Sequence, residues 1–297
     1  MSRAWFRQSE RSSAFWIYLI RWIALHLGRP AARLLLYPIT LYFLTFSPRA
    51  RRASGQYLRR VLDRRPTPMD RFRHFHAFAS TILDRVYLLT DQAQRLDIHV
   101  HNAGMLHERI ERGEGCILLG SHLGSFEVLR ALAVHQQHFP LRVLMYADHN
   151  ATITRMLNAL SPEVARTVIP LGRPETLLQV KEALDEGCLI GILGDRPAEN
   201  DRQVRCPFLG APAVFPTGPL LLAVTLKAPV ILFYGLYKSG RRYDIHFELL
   251  TDAPAVTRAE RERFIADLTC RYAERLAHHA RQAPYNWFNF YDFWQDA

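Results

Sequence analysis

The stretch that decides the fold is Cys116-Ile-Leu-Leu-Gly-Ser-His122-Leu-Gly-Ser-Phe-Glu127-Val-Leu-Arg-Ala-Leu132. A short apolar run ending at a glycine predicts a strand buried on both faces. Gly120 and Gly124 mark a turn of small residues, and a helix is predicted to begin near Ser125. In open α/β sheets the crevice beyond the carboxyl end of such a strand is where ligands bind. His122 and Glu127 sit in that turn, five residues apart. On one regular helix they would point about 140° apart and could not pair. With His122 in the turn and Glu127 in the first helical turn, the chain can fold back and bring them within hydrogen-bond range.

The same alternation continues outward. Strand-like runs occur at 141–145, 167–169, 188–193, 230–236 and 243–249, and helical stretches at about 125–137, 151–160, 174–186 and 217–227. A last helix is predicted at roughly 258–281, ending before Pro284, with the aromatic tail YNWFNFYDFW behind it. Upstream, Pro66-Thr67-Pro68 precedes a 3.6-residue apolar period at Phe72, Phe75, Phe78, Ala79, Ile82, Leu83 and Val86, which predicts a core-facing helix. Near-continuous apolar strands alternating with helices define an α/β fold with a mostly parallel central sheet flanked by helices.

At 297 residues, 49% of them hydrophobic and 22% charged, the chain can bury a full core, and extensive disorder is excluded. The net charge of +10 is uneven: residues 1–73 hold fifteen Arg, no Lys and three acidic residues. This basic quarter contains two apolar stretches, 13–27 and 31–46, on either side of Gly28-Arg29-Pro30. Neither offers the roughly 20 uncharged residues of a straight bilayer span. Arg-rich flanks at both ends favour one side of a membrane. The pattern predicts a hairpin or paired helices on one leaflet, with Arg21, Arg29 and Arg33 snorkelling to headgroups. The chain is thus divided into a membrane-associating segment, 1–48, and a catalytic domain, 49–297. An anionic membrane surface is the expected partner. Nucleic acid is not, since no helix-turn-helix, zinc-finger or RNA-binding signature is present.

Cys116, Cys188, Cys206 and Cys270 form no C-x-x-C pair, and reduced core thiols are expected, in keeping with a cytosolic active domain. His74, His76, His135, His138, His278 and His279 show no metal-ligand arrangement and are read as surface or amphipathic residues. Neither metal nor cofactor is expected.

A paired imidazole and carboxylate have a clear use. A hydroxyl is too weakly acidic to attack a thioester at neutral pH, so a positioned His must take its proton. A carboxylate on the other ring nitrogen fixes the tautomer, and amides of the turn and helix start are expected to hold the oxyanion. A serine ester hydrolase is disfavoured, because G-x-S-x-G is absent around Ser121 and Ser125. A non-catalytic membrane scaffold is the remaining alternative, and the intact His and Glu speak against it.

The H-x4-E spacing on a strand–turn–helix, preceded by Gly-Ser, resembles the lysophospholipid acyltransferase superfamily, most closely its branch of lipid A biosynthesis lauroyl/myristoyl acyltransferases. The likeness extends to Leu184-x-x-Gly187 with LIGILGD (189–195), and to Val204-x-x-Pro207-Phe208-Leu209-Gly210. It continues through Thr217-Gly218, Ala223, Ala228-Pro229-Val230 and Tyr285-x-Trp287, and covers about residues 14–290.

The resemblance implies transfer of a fatty acyl group from acyl carrier protein or acyl-CoA to a lipid or glycolipid hydroxyl, at the cytoplasmic face of a bacterial inner membrane. His122 and Glu127 are then catalytic, while Ser125, Asp195, Arg173 and Arg196 are candidates for binding substrate. The chain departs from that branch at Asp195-Arg196-Pro197, where Asp-Gln-Asp is usual, and at Phe288-Asn-Phe-Tyr-Asp-Phe293, where a more basic motif is usual. The phosphate-binding F-P-E-G-T-R of glycerolipid enzymes is reduced to Phe215-Pro216-Thr217-Gly218-Pro219. These departures predict an acceptor other than a lipid A precursor or glycerol 3-phosphate.

Overall fold

A computed structural model describes residues 22–24, 26, 28–90, 92–133, 139–146, 166–197, 201–252 and 256–294. Its centre is a seven-stranded sheet of β1 (Asp97–His101), β2 (Cys116–Gly120), β3 (Leu141–Tyr146), β4 (Val168–Leu171), β5 (Leu189–Leu193), β8 (Val230–Ser239) and β9 (Arg242–Thr251). The strand order is β1-β9-β8-β2-β5-β3-β4, and only β8 and β9 pair antiparallel. Strand β2, in the middle, is buried along its whole length. Six strands fall on the predicted apolar runs. Two segments not read as strands form a separate antiparallel hairpin, β6 (Gln203–Phe208) and β7 (Ala211–Pro216).

Eight helices cover the sheet among the described residues: α1 (Gly28–Phe46), α2 (Pro48–Val61), α3 (Pro68–Leu88), α4 (Gly104–Glu111), α5 (Glu127–Ala131), α6 (Thr176–Asp185), α7 (Gly218–Leu226) and α8 (Arg261–Gln282). Helix α3 starts where Pro66-Thr67-Pro68 predicts a break. Thr67 Oγ1 accepts from the Asp70 amide and the Asp70 carboxylate accepts from the Thr67 amide, a closed capping box. Helix α5 begins at Glu127 rather than Ser125; the helix expected at 151–160 lies outside the described residues.

The N-terminal segment agrees with expectation in its length but differs in where α1 docks and where its arginines point. No helix among the described residues is long and apolar enough to cross a membrane. Helix α1 instead docks on α3, burying Ala32 and Leu36 with Leu83, Val86 and Tyr87. Arg29 and Arg33 do not snorkel outward. Arg29 forms a bidentate pair with the fully buried Asp84, at 2.8 Å for each bond, and Arg33 donates to the Tyr237 hydroxyl at 3.0 Å. Desolvating Asp84 demands a charged partner, which overrides any preference of Arg29 for headgroups. Arg21 lies outside the described residues. The opposite face of α1 is apolar and solvent-facing: Leu34, Leu41, Tyr42 and Phe46 are all more than half exposed.

The cysteine expectation is also corrected. Helix α8 packs on β6, which brings Cys206 and Cys270 into a disulfide with Cα atoms 5.0 Å apart. Cys116 and Cys188 are buried free thiols, as expected.

Candidate active site

Beyond β2 the chain turns through Ser121, His122, Leu123 and Gly124 before α5. The turn needs Gly124: its φ is +77°, and a Cβ there would overlap the Gly235 carbonyl of β8. The close approach lets the Ser125 amide donate to the Gly235 carbonyl at 2.8 Å, locking the turn to β8.

His122 sits on this turn with its side chain 31% exposed, facing Asp195, which is completely buried one residue past Gly194 at the end of β5. The His122 Nδ1–H donates to Asp195 Oδ1 at 2.8 Å, and the His122 amide donates to Oδ2 at 3.0 Å. Trp287 Nε1 also donates to Oδ2, at 2.9 Å. Burial would raise the Asp195 carboxyl, but His122, Arg196 and the indole outweigh it and hold it near 2. An ionised Asp195 fixes the proton on Nδ1, leaving Nε2 with its lone pair. No described residue bonds to Nε2. Burial and the Arg196 and Arg85 charges hold His122 below its ordinary pKa despite Asp195, which favours the neutral ring.

The predicted pairing of His122 with Glu127 is therefore corrected: no hydrogen bond joins them. Glu127 is buried at the start of α5, and its Oε2 accepts from Arg130 Nη1 at 3.2 Å. One helical turn places the two side chains side by side, while the imidazole faces across the sheet to β5. The oxyanion expectation changes too. The amides of residues 122–125 are all engaged, by Asp195, Ser121 Oγ, the Asn286 carbonyl and the Gly235 carbonyl respectively. Among the turn residues, the Ser125 hydroxyl is buried without a hydrogen-bond partner. It does not cap α5.

Arg196 flanks the pair. One guanidinium nitrogen donates to the Phe288 carbonyl at 2.8 Å, and the group lies over the Tyr291 ring. Arg173 is exposed beyond β4, at the far edge of the sheet, and does not join the centre.

The C-terminal segment closes the site. The Phe288 amide donates to the His122 carbonyl at 2.9 Å, and Leu123 bridges Trp287. His74, read from sequence as a surface or amphipathic residue, is completely buried behind this strap. Its Nε2–H donates to the Trp287 carbonyl at 2.8 Å, Nδ1 accepts from Ser54, and burial depresses its pKa to about 4. His279 is likewise buried, 2.7 Å from Glu248. His101, Asp244 and His246 bring ligand atoms within 4.8 Å of one another, but Asp244 already meets Arg242 at 2.9 Å and Lys238 at 3.8 Å.

A mostly parallel sheet with a His–carboxylate pair past its central strands defines an α/β protein equipped for proton transfer at the sheet's carboxyl edge. Sequence comparison makes the class specific: the bacterial lipid A biosynthesis acyltransferase family matches residues 2–296, and the chain belongs to that family. It is an acyltransferase. No curated protein matches the chain closely enough to count as a relative.

Proposed function

We propose that the protein transfers a fatty acyl group from the thioester of acyl carrier protein or coenzyme A to a hydroxyl of a lipid or glycolipid at the membrane surface. The observation that carries this reading is the geometry of His122, its Nδ1 bonded to Asp195 and its Nε2 engaged by no described residue. Nε2 takes the acceptor hydroxyl's proton as the oxygen attacks the thioester carbonyl. The tetrahedral intermediate then expels the thiolate, which recovers that proton from Nε2. Asp195 stabilises the transient imidazolium. The unpartnered Ser125 hydroxyl is a candidate donor for the oxyanion or a contact for the acceptor. Glu127, with its buried partner Arg130, holds the start of α5 beneath the turn.

The solvent-facing apolar face of α1 supports attachment to one leaflet, with the exposed Trp22 as an interfacial anchor. The cytoplasmic face of the inner membrane is the proposed location. The Cys206–Cys270 bond is of the kind that oxidising compartments maintain. Thiol alkylation of freshly lysed cells therefore decides which side holds the domain: reaction of both residues places it in the cytoplasm, and an intact bond places it outside.

The direct test is incubation with labelled acyl carrier protein or acyl-CoA, with and without lipid extract. Lipid-dependent label transfer that His122→Ala abolishes is the expected result. Release of free fatty acid alone would make the protein a hydrolase, and no reaction would leave a membrane scaffold. For the acceptor, Asp195-Arg196-Pro197 lines the centre where the related enzymes usually carry a different triplet. We expect poor replacement of a late lipid A acyltransferase, read by mass spectrometry of lipid A from a strain lacking its own.

A further inference from the structure

A concave surface lies away from His122. It is a pocket of about 730 Å³ between helix α2 and the tip of the β6–β7 hairpin at Leu209-Gly210. Five arginines line it, Arg51, Arg52, Arg59 and Arg60 from α2 and Arg71 from α3, against a single carboxylate, Asp63. Arg59 and Arg60 lie two helical turns beyond Arg52 on α2, so the cations form one stripe along it. Gly55 on that stripe gives Arg71 room: a Cβ there would lie 3.3 Å from its Nε.

Three of these guanidiniums are unspent among the described residues. The Arg52, Arg59 and Arg71 side chains make no hydrogen bond or ion pair with any described residue, and Arg71 Nε is buried without a partner. Arg51 donates to the carbonyls of Leu44 and Thr45, and Arg60 stacks over Trp294. Five guanidiniums against one carboxylate repel one another, so an anion in the pocket would relieve the excess positive charge. Guanidinium forks match phosphate oxygens bidentately, better than any single-point anion contact.

Location identifies the anion's carrier. Arg51 ties the rim of the pocket to the last turn of α1, where Tyr42 and Phe46 are exposed at the end of the solvent-facing apolar face. A ligand with a phosphate and an apolar tail satisfies both surfaces at once. The walls also converge on the catalytic layer: Tyr57 of α2 and Phe208 of β6 each pack on Trp287, at ring separations of 5.1 Å, and Trp287 holds Asp195.

We propose that this arginine pocket binds the phosphate headgroup of an anionic membrane lipid and so orients the protein on the bilayer; the inference rests on the membrane-facing reading of α1. The test is co-sedimentation of the full chain with phosphatidylcholine vesicles, with and without phosphatidic acid. Arg52→Gln/Arg59→Gln is compared with Arg258→Gln/Arg271→Gln, which removes the same charge from exposed positions elsewhere. The pocket variant should lose about 30-fold of the binding gained from phosphatidic acid. The control variant should keep it, and neutral vesicles should bind both alike. Equal losses in the two variants, or undiminished preference in the pocket variant, would overturn the site. Displacement from vesicles by inorganic phosphate at the lipid's own concentration would make it a free-phosphate site and overturn the lipid assignment. Failure of every form to bind any vesicle would instead refute the membrane reading and the headgroup site with it.

Discussion

Replacing Asp195 by Asn tests the centre most sharply, because the geometry dictates what the amide must do. Oδ2 accepts two N–H groups, from the His122 backbone and the Trp287 indole, while Oδ1 accepts one, from His122 Nδ1. An Asn keeps more bonds by placing its carbonyl at the Oδ2 position. Its NH2 then faces Nδ1 and must donate to it, which drives the imidazole proton onto Nε2. The base is blocked at the atom that must accept the acceptor's proton. A wrong tautomer of this kind lowers turnover about 10³–10⁴-fold, equivalent to about 4–5.5 kcal/mol of transition-state stabilisation. Stability changes less. The Asp195 carboxyl is held near 2 in the folded chain, below its ordinary 3.8. The depression contributes about 2 kcal/mol, fully present above about pH 4 and lost as pH falls through the folded value. The assay is thioester-dependent acylation of a lipid acceptor, run beside circular dichroism to confirm folding. A folded Asp195→Asn protein within tenfold of wild-type kcat/KM would refute the role assigned to Asp195.

Three other outcomes follow from the same contacts. Glu127→Gln should leave the acidic limb of the kcat/KM profile in place, since Glu127 bonds to Arg130 and not to His122, while lowering stability by about 1–3 kcal/mol on denaturant titration; a displaced limb would return Glu127 to the imidazole. Arg196→Gln removes a cation that lowers the His122 pKa, so the acidic limb, where activity falls as His122 protonates, should move to higher pH; an unmoved limb would show that Arg196 does not act on His122. Leu34→Ser/Leu41→Ser/Phe46→Ser strips the solvent-facing apolar face of α1 and should weaken binding to neutral vesicles at least about 100-fold; unchanged sedimentation would mean that this face does not enter the membrane.

The legible parts of the fold were those with one dominant physical signal. Strands β2 and β5 are buried on both faces, so their sequences are continuous apolar runs that no surface helix would carry. Strand β1, DIHVH, alternates exposed and half-buried residues at the sheet edge and offers little hydrophobic contrast. Strands β6 and β7 carry Pro207, Pro212 and Pro216, which in sequence argue against a strand. They are tolerated because this hairpin has only two strands, so each has an unpaired edge. The Cys206–Cys270 bond was illegible for a related reason: it joins a hairpin not recognised to a helix whose docking no local pattern encodes.

The pairing of His122 shows why a motif's spacing does not reveal which carboxylate the imidazole meets. Glu127 is five residues from His122 and Asp195 is 73 residues away, so sequence proximity favours Glu127. Pairing register decides otherwise. Strands β2 and β5 run parallel with Gly120 opposite Leu193, and two further residues along each chain lie His122 and Asp195. Both therefore leave the sheet at the same level and on neighbouring strands, whereas Glu127 is carried away on α5. Because side chains alternate faces with a period of two, a slip of one residue would turn Asp195 from the imidazole. Gly191 guards against it: a Cβ at that position of β5 would crowd the Phe126 ring, which sits between the turn and α5. The site is thus a property of strand register, fastened from behind by Trp287, and neither strand alone contains that information.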